Sequence, residues 1–163
     1  MDIQLFRIDD RLIHGQVVIG WAGYLHSEQI ILCDDSVAAN DWEKELYLSV
    51  VPEQIRAMVF SVNGLTEHLL QGKDDYSKTI IVINSPQIIE HLLQAGVRLK
   101  TVNVGGIHFK EGRKKYLPYL YLSEDEVHSF KRCMEKGVNF ECQDMPATRV
   151  VPLGNLLEKN INE

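Results

Sequence analysis

The sequence predicts an α/β protein, a single-domain three-layer α/β/α sandwich around a mainly parallel central sheet. Short β-rich runs alternate along the chain with amphipathic stretches, an order that brings strands together in parallel through helical crossovers. The run Thr79-Ile80-Ile81-Val82-Ile83 is apolar without a break, as suits a strand covered on both faces. Helix start and stop signals fall between such runs.

Strands are expected at residues 3–8, 29–33, 56–60, 79–83, 99–102 and 138–143. After the first, Val17, Val18, Trp21 and Leu25 recur at helical spacing. Asn40 with Glu43 and Ser123 with Glu126 fit capping boxes, Pro86 suits a first helical turn, and Gly96 and Gly137 suit helix C-termini. Residues 114–122 read as an extra strand, with Pro118 favouring a sheet edge. Trp21 and Trp42 are expected on apolar helix faces, in the core. No internal repeat, low-complexity stretch or linker divides residues 1–163, so one domain is expected.

The 163 residues are 45% hydrophobic and 25% charged, which is enough to bury a core without disulfides or structural metal. A net charge of -6 gives no broad attraction to nucleic acid or anionic lipid. Cys33, Cys133 and Cys142 lack the paired spacing of a zinc site or redox dithiol and read as reduced thiols in a cytosolic protein. The N-terminus lacks a basic region followed by an apolar stretch, and no apolar run is long enough to span a bilayer. Any membrane role is therefore expected through a partner. The apolar faces leave a homodimer open.

In open α/β sheets, chemistry collects beyond the carboxyl ends of the strands. There the first strand runs into Asp9-Asp10-Arg11-Leu12-Ile13-His14-Gly15-Gln16. A neutral imidazole can attack phosphorus when a hydrogen bond on one nitrogen leaves the other free. A guanidinium such as Arg11 can hold phosphate oxygens through two parallel bonds. Asp9 or Asp10 can orient the ring or position Arg11, one of the two being structural. Gly15 permits close approach of a ligand, and the amides opening the next helix, at Gly15 and Gln16, offer donors to an anion. Asp35, Ser85, Asn103, Gly105 and Gly106 follow other strands and can line the same crevice. Each also has a blander use, as acidic turn, helix cap or glycine turn. The glycine pair lacks the spacing of a nucleotide-binding loop. Of the remaining histidines, His26, His68, His91 and His128 are expected to face solvent. His108, just past the glycines, is the one within reach of the first loop.

The run Arg7-Ile8-Asp9-Asp10-Arg11-Leu12-Ile13-His14-Gly15-Gln16-Val17 resembles the opening of IIB subunits in the mannose/fructose/sorbose family of the bacterial phosphoenolpyruvate-dependent sugar phosphotransferase system. Ala95-Gly96-Val97 leading to Val102-Asn103-Val104-Gly105-Gly106, and residues 130–137, resemble the same family in order and spacing. The likeness covers nearly the whole chain. It implies that His14 is the phosphorylated residue, that Arg11 steadies the phosphoryl group, and that Asp10 is the neighbouring acidic position. It further implies a cytoplasmic carrier at the inner face of the membrane. Such a carrier is charged by the IIA phosphohistidine and discharged onto a sugar carried by the IIC and IID permease subunits, with no metal or cofactor. Mannose, fructose, sorbose and amino sugars such as N-acetylgalactosamine all remain open. Ile107-His108-Phe109 departs from the methionine-rich or small-residue version expected there, and residues 142–152 depart from the usual ending.

Three other readings compete. A metal-dependent phosphohydrolase would use Asp9, Asp10 and His14 around a cation. A receiver domain would need an aspartate after the third strand, where Phe60-Ser61 stands. A regulatory module that has lost transfer would not need His14 and Arg11 together.

Overall fold

Strand β1 (Asp2–Asp9) lies at the centre of a seven-stranded sheet, between β4 (Lys78–Ile83) and β5 (Thr101–Gly106). Beyond β4 come β2 (Gln29–Cys33) and, at the edge, β3 (Arg56–Phe60). Beyond β5 come β8 (Asn139–Cys142) and the two-residue β9 (Val151–Pro152). Every neighbouring pair is parallel except β8 with β9. This computed structural model describes residues 1–73 and 75–159.

Alternate residues of the strands serve two cores. Phe6, Ile8, Ile81, Ile83, Val102 and Val104 pack under α4 (Val62–Leu70), α5 (Pro86–Gln94), α6 (Glu124–Glu135) and α7 (Leu153–Lys159). Ile30, Leu32, Ile80 and Val82 pack on the opposite face under a π-helical turn, Gln16–Ala22, with the short α2 (Asp35–Ala38) and α3 (Asp41–Ser49) alongside. The π-helical turn continues as α1 (Gly23–Leu25). The three expected layers are present. Each wholly buried isoleucine or leucine contributes about 1.5–3 kcal/mol relative to exposure, which is why unbroken apolar runs at β2 and β4 specify central strands.

Most local signals act as read. Ser123 and Glu126 form a reciprocal capping box. Asn40 accepts from the Glu43 amide, Pro86 opens α5, and Gly96 and Gly137 adopt φ of 97° and 92° past their helices. Three expectations need correction, and two elements are new. The fifth strand begins at Thr101 and runs through both glycines instead of spanning 99–102. Residues 114–122 form a hairpin, β6 (Lys114–Leu117) with β7 (Leu120–Leu122), not one strand, and Pro118 occupies its two-residue turn. Trp21 is buried, but Trp42 is 71% exposed, because α3 sits on the periphery and buries none of its residues fully. Finally, β9 and α7 were not expected at all.

Candidate functional site

The carboxyl end of β1 is tied to β5 by the Asp10 amide, which donates to the Gly106 carbonyl (2.9 Å). The chain then turns sharply, the Leu12 amide donating to the Asp9 carbonyl (2.9 Å) with Leu12 in the left-handed region at φ 60°. That conformation costs a leucine about 1–2 kcal/mol. Burial of its side chain beside Ile13 and Val37 holds it there. The turn folds residues 11–14 back over the strand end.

Five donors converge on the buried carboxylate of Asp9. Arg11 approaches Oδ1 with its amide and Nε (both 3.1 Å) and Oδ2 with Nη2 (3.1 Å). Arg7 donates Nη2–H to Oδ2 (3.0 Å), and His14 places Nε2 3.0 Å from the same oxygen. Burial by itself would raise the carboxyl's pKa. The bonds from His14 and Arg11 and the charges of Arg7 and Arg11 outweigh burial and hold it well below the usual carboxylate range.

A lowered folded-state value stabilises the protein at any pH above the unfolded carboxyl's value, near 4. That contribution drains away as pH falls from there toward the lowered folded value. Wild-type unfolding free energy should therefore drop steeply below about pH 4, whereas Asp9→Asn should be less stable at pH 7 and show a flatter acid limb. Urea titrations at stepped pH check this; parallel acid limbs would remove Asp9 as the source.

Beneath this cluster lies Arg7, wholly buried. Its guanidinium donates to Asn103 Oδ1 (2.7 Å), to the Gln143 and Asp144 carbonyls (both 3.1 Å) and to Asp9, with the Trp21 ring 5.5 Å from Cζ. Burial lowers its pKa and the Asp9 charge counteracts this; an arginine remains a cation under such a shift. The guanidinium occupies the space over Gly105, where an added Cβ would stand 1.8 Å from Cζ. This explains why β5 continues through a glycine pair that looks like a turn.

His14 and Arg11 thus meet on Asp9, as the sequence suggested. His14 is one-fifth exposed and Arg11 about one-third. Gln16 joins them, accepting from Arg11 Nη2 (3.0 Å). Gly15 is exposed, with open space where a Cβ would lie. Asp10 turns away, its carboxylate taking the His108 amide (2.7 Å) and Nδ1 (2.6 Å), with Arg113 3.5 Å off. Asn103 is a mid-strand partner of Arg7, and Gly106 borders Asp9 and Arg11. Asp35 accepts from the Val62 amide (2.8 Å) and Ser85 precedes α5; no bond joins either to His14 among the described residues. Asp9, with five donors on it, has no oxygen turned toward a shared cation. Among the described residues no group of three or more His, Cys, Asp or Glu stands close enough to hold a metal ion.

A family model described as the PTS system sorbose subfamily IIB component matches residues 3–163. The chain belongs to this family of IIB components. This IIB component is 33% identical over 147 residues to the PTS system fructose-specific EIIB component of Bacillus subtilis (strain 168), covering 90% of each. It is 30% identical over 159 residues to the PTS system mannose-specific EIIAB component of Escherichia coli (strain K12), with 98% of its own length spanning 49% of that protein. A solved structure described as phosphoenolpyruvate-dependent phosphotransferase system superposes with a TM-score of 0.89 at 31% identity, covering 98% of this chain and 99% of the other. IIB components are phosphotransferase components. Among the described residues of this one, no helix is long and apolar enough to cross a membrane.

Arg7 is the site residue that sequence reasoning missed. Its signal was available: an arginine set among Leu5, Phe6 and Ile8, two positions before Asp9 and so on the same face, opposite a strand carrying glycine.

Proposed function

We propose that this IIB component accepts a phosphoryl group on Nδ1 of His14 from the phosphohistidine of a IIA partner and passes it to a sugar entering through IIC and IID subunits. The observation that carries this reading is the His14 Nε2 bond to Asp9, with Arg11 held beside it by the same carboxylate. With Nε2 protonated and donating, the lone pair of Nδ1 is the nucleophile. It attacks phosphorus as the donor N–P bond breaks, and the electron pair of that bond leaves with the donor imidazole. The phosphorylated ring keeps its Nε2 proton and is cationic, and the Asp9 carboxylate offsets that charge. The same proton makes the ring a good leaving group when a sugar hydroxyl attacks phosphorus in turn, the N–P electron pair returning to Nδ1 and the hydroxyl proton passing to the phosphate of the product.

Arg11 Nη1 forms no bond among the described residues, while Nε and Nη2 are anchored. Its free donors can meet phosphoryl oxygens without reorganising. Asp9 is the residue that orients the ring, and Asp10, the position the family resemblance pointed to, acts from behind His108. The chemistry needs only in-line positioning and charge compensation, and a rim site of this exposure suits a carrier that meets two partners in turn. Relatives named for fructose and for mannose stand at nearly equal identity. The choice of sugar is accordingly assigned to the permease.

Incubation with phosphoenolpyruvate, the general phosphotransferase proteins and IIA should give one acid-labile phosphate per chain, mapped to His14. Arg11→Ala should slow its arrival by a factor of about 100 or more, as for loss of a preorganised anion donor. Transfer at the wild-type rate in that variant would remove Arg11 from the mechanism.

A further inference from the structure

A second histidine borders the His14 site through contacts that phosphoryl transfer to His14 does not require. The Asp10 carboxylate grips the residue at two points, Oδ1 to ring Nδ1 (2.6 Å) and Oδ2 from the backbone amide (2.7 Å). The chain on either side is pinned as well. Ile107 donates to the Tyr119 carbonyl (3.0 Å) and accepts from the Tyr121 amide (2.8 Å), docking the end of β5 on the hairpin. Arg113 donates to the His108 carbonyl (2.7 Å) and is itself held by Glu126 (2.8 Å). A ring fixed so thoroughly has a defined direction.

The Cε1 edge of the ring faces Gly106. His108 Cε1 lies 2.8 Å from the point an added Cβ would occupy on Gly106, and the same point is 3.4 Å from Arg11 Nη2 and 3.5 Å from Asp9 Oδ1. Gly106 therefore keeps open the space in which these three groups converge. With Nδ1 donating to Asp10, the remaining nitrogen, Nε2, forms no bond among the described residues, and the side chain is 40% exposed.

Asp9–His14 and Asp10–His108 are thus both carboxylate–imidazole pairs from adjacent residues at one strand end, the first through Nε2 and the second through Nδ1. The charged groups around His108 are Asp10 and Arg113 in contact, Glu126 behind Arg113, and Arg11 and Asp9 across Gly106. An uncapped carboxylate at Asp10 would repel a phosphoryl dianion, whereas a proton on each nitrogen of His108 caps the carboxylate and turns a donor outward.

We propose that His108 is a second anion-binding residue of this site, its Nε2–H donating to an oxygen of the phosphoryl group on His14, beside Arg11. The proposal rests on His14 as the phosphorylated residue. No proton is transferred; the imidazolium binds and positions.

The test uses full-length protein with 15N-labelled histidine, phosphorylated by phosphoramidate so that no partner protein is needed. In ring-nitrogen spectra the His14 Nδ1 resonance should move on phosphorylation, and the His108 Nε2–H should simultaneously become visible, its exchange with solvent slowed. Phosphorylated His14 with His108 resonances unmoved overturns this inference alone; an unphosphorylated His14 overturns the parent reading and the inference with it. His108→Gln should slow IIA-dependent transfer roughly tenfold, less than the 100-fold or more of an enclosed donor, with KM for IIA unchanged. A rise in KM alone would instead make His108 a docking residue.

Discussion

Replacing His14 by alanine is expected to abolish acid-labile phosphate on this chain altogether, whatever the donor. The imidazole supplies the attacking lone pair, and no neighbouring group can substitute. Arg11 is a cation without nucleophilic character, Asp9 is saturated by donors, and His108, its Nδ1 committed to Asp10, is proposed to carry a proton on Nε2 and so to lack a lone pair for attack. The side chain is partly exposed and sits outside both apolar cores, so the variant should fold, with a melting temperature lowered only by the loss of one of five donors to Asp9. Loss of the label in a folded protein therefore reports chemistry. Phosphate persisting at full stoichiometry in His14→Ala, by gel labelling and mapping, would refute the assignment and direct attention to His108.

Gly105→Ala should be the most damaging of the glycine-to-alanine changes, since no other glycine's added Cβ meets an atom so closely. Its Cβ would overlap the Arg7 guanidinium, 1.8 Å from Cζ, in a strand that cannot shift without breaking its pairing with β1 and β8. Arg7 would have to leave, stranding the buried Asp9 carboxylate and the oxygens of Asn103, Gln143 and Asp144. Removing one partner of a buried ion pair costs about 3–5 kcal/mol, which for a domain of this size lowers the melting temperature by roughly 10 °C or more. Labelling of His14 should fall in parallel, since Asp9 would no longer be fixed. Gly15→Ala, with nothing within 4 Å of the added carbon, is the control and should melt near wild type. Equal melting of the two variants would show that the guanidinium is not caged as described.

What the sequence made legible was local. β2, β3 and β4 are continuous β-rich runs, and Asp9, Arg11 and His14 share one six-residue turn, so both could be read from neighbours along the chain. For Arg7 only half was local, a charge two positions before Asp9; its partners Asn103 and Gln143 lie 96 and 136 positions away, and His108 meets Asp10 at a separation of 98. The glycine pair misled for the same reason, because what demands glycine at position 105 is a side chain from a different strand. The outward position of Trp42 was equally invisible, since spacing tells which residues share a helix face but not whether that face meets anything. At two residues, β9 is too short to carry a period; α7 did carry one, in Leu153 and Leu157 four apart.

Arg7 holds the segment after β8 entirely by its peptide oxygens, at Gln143 and Asp144, and the Trp21 indole does the same at Asp144. A peptide oxygen is identical in every amino acid. The letters at those two places can thus change without removing the oxygens that the clamp uses, provided the loop their side chains brace keeps its course, and an unfamiliar ending need not signal an altered centre. Relatives should be judged by whether their backbones still reach the guanidinium, a matter that superposed structures decide and spelling does not.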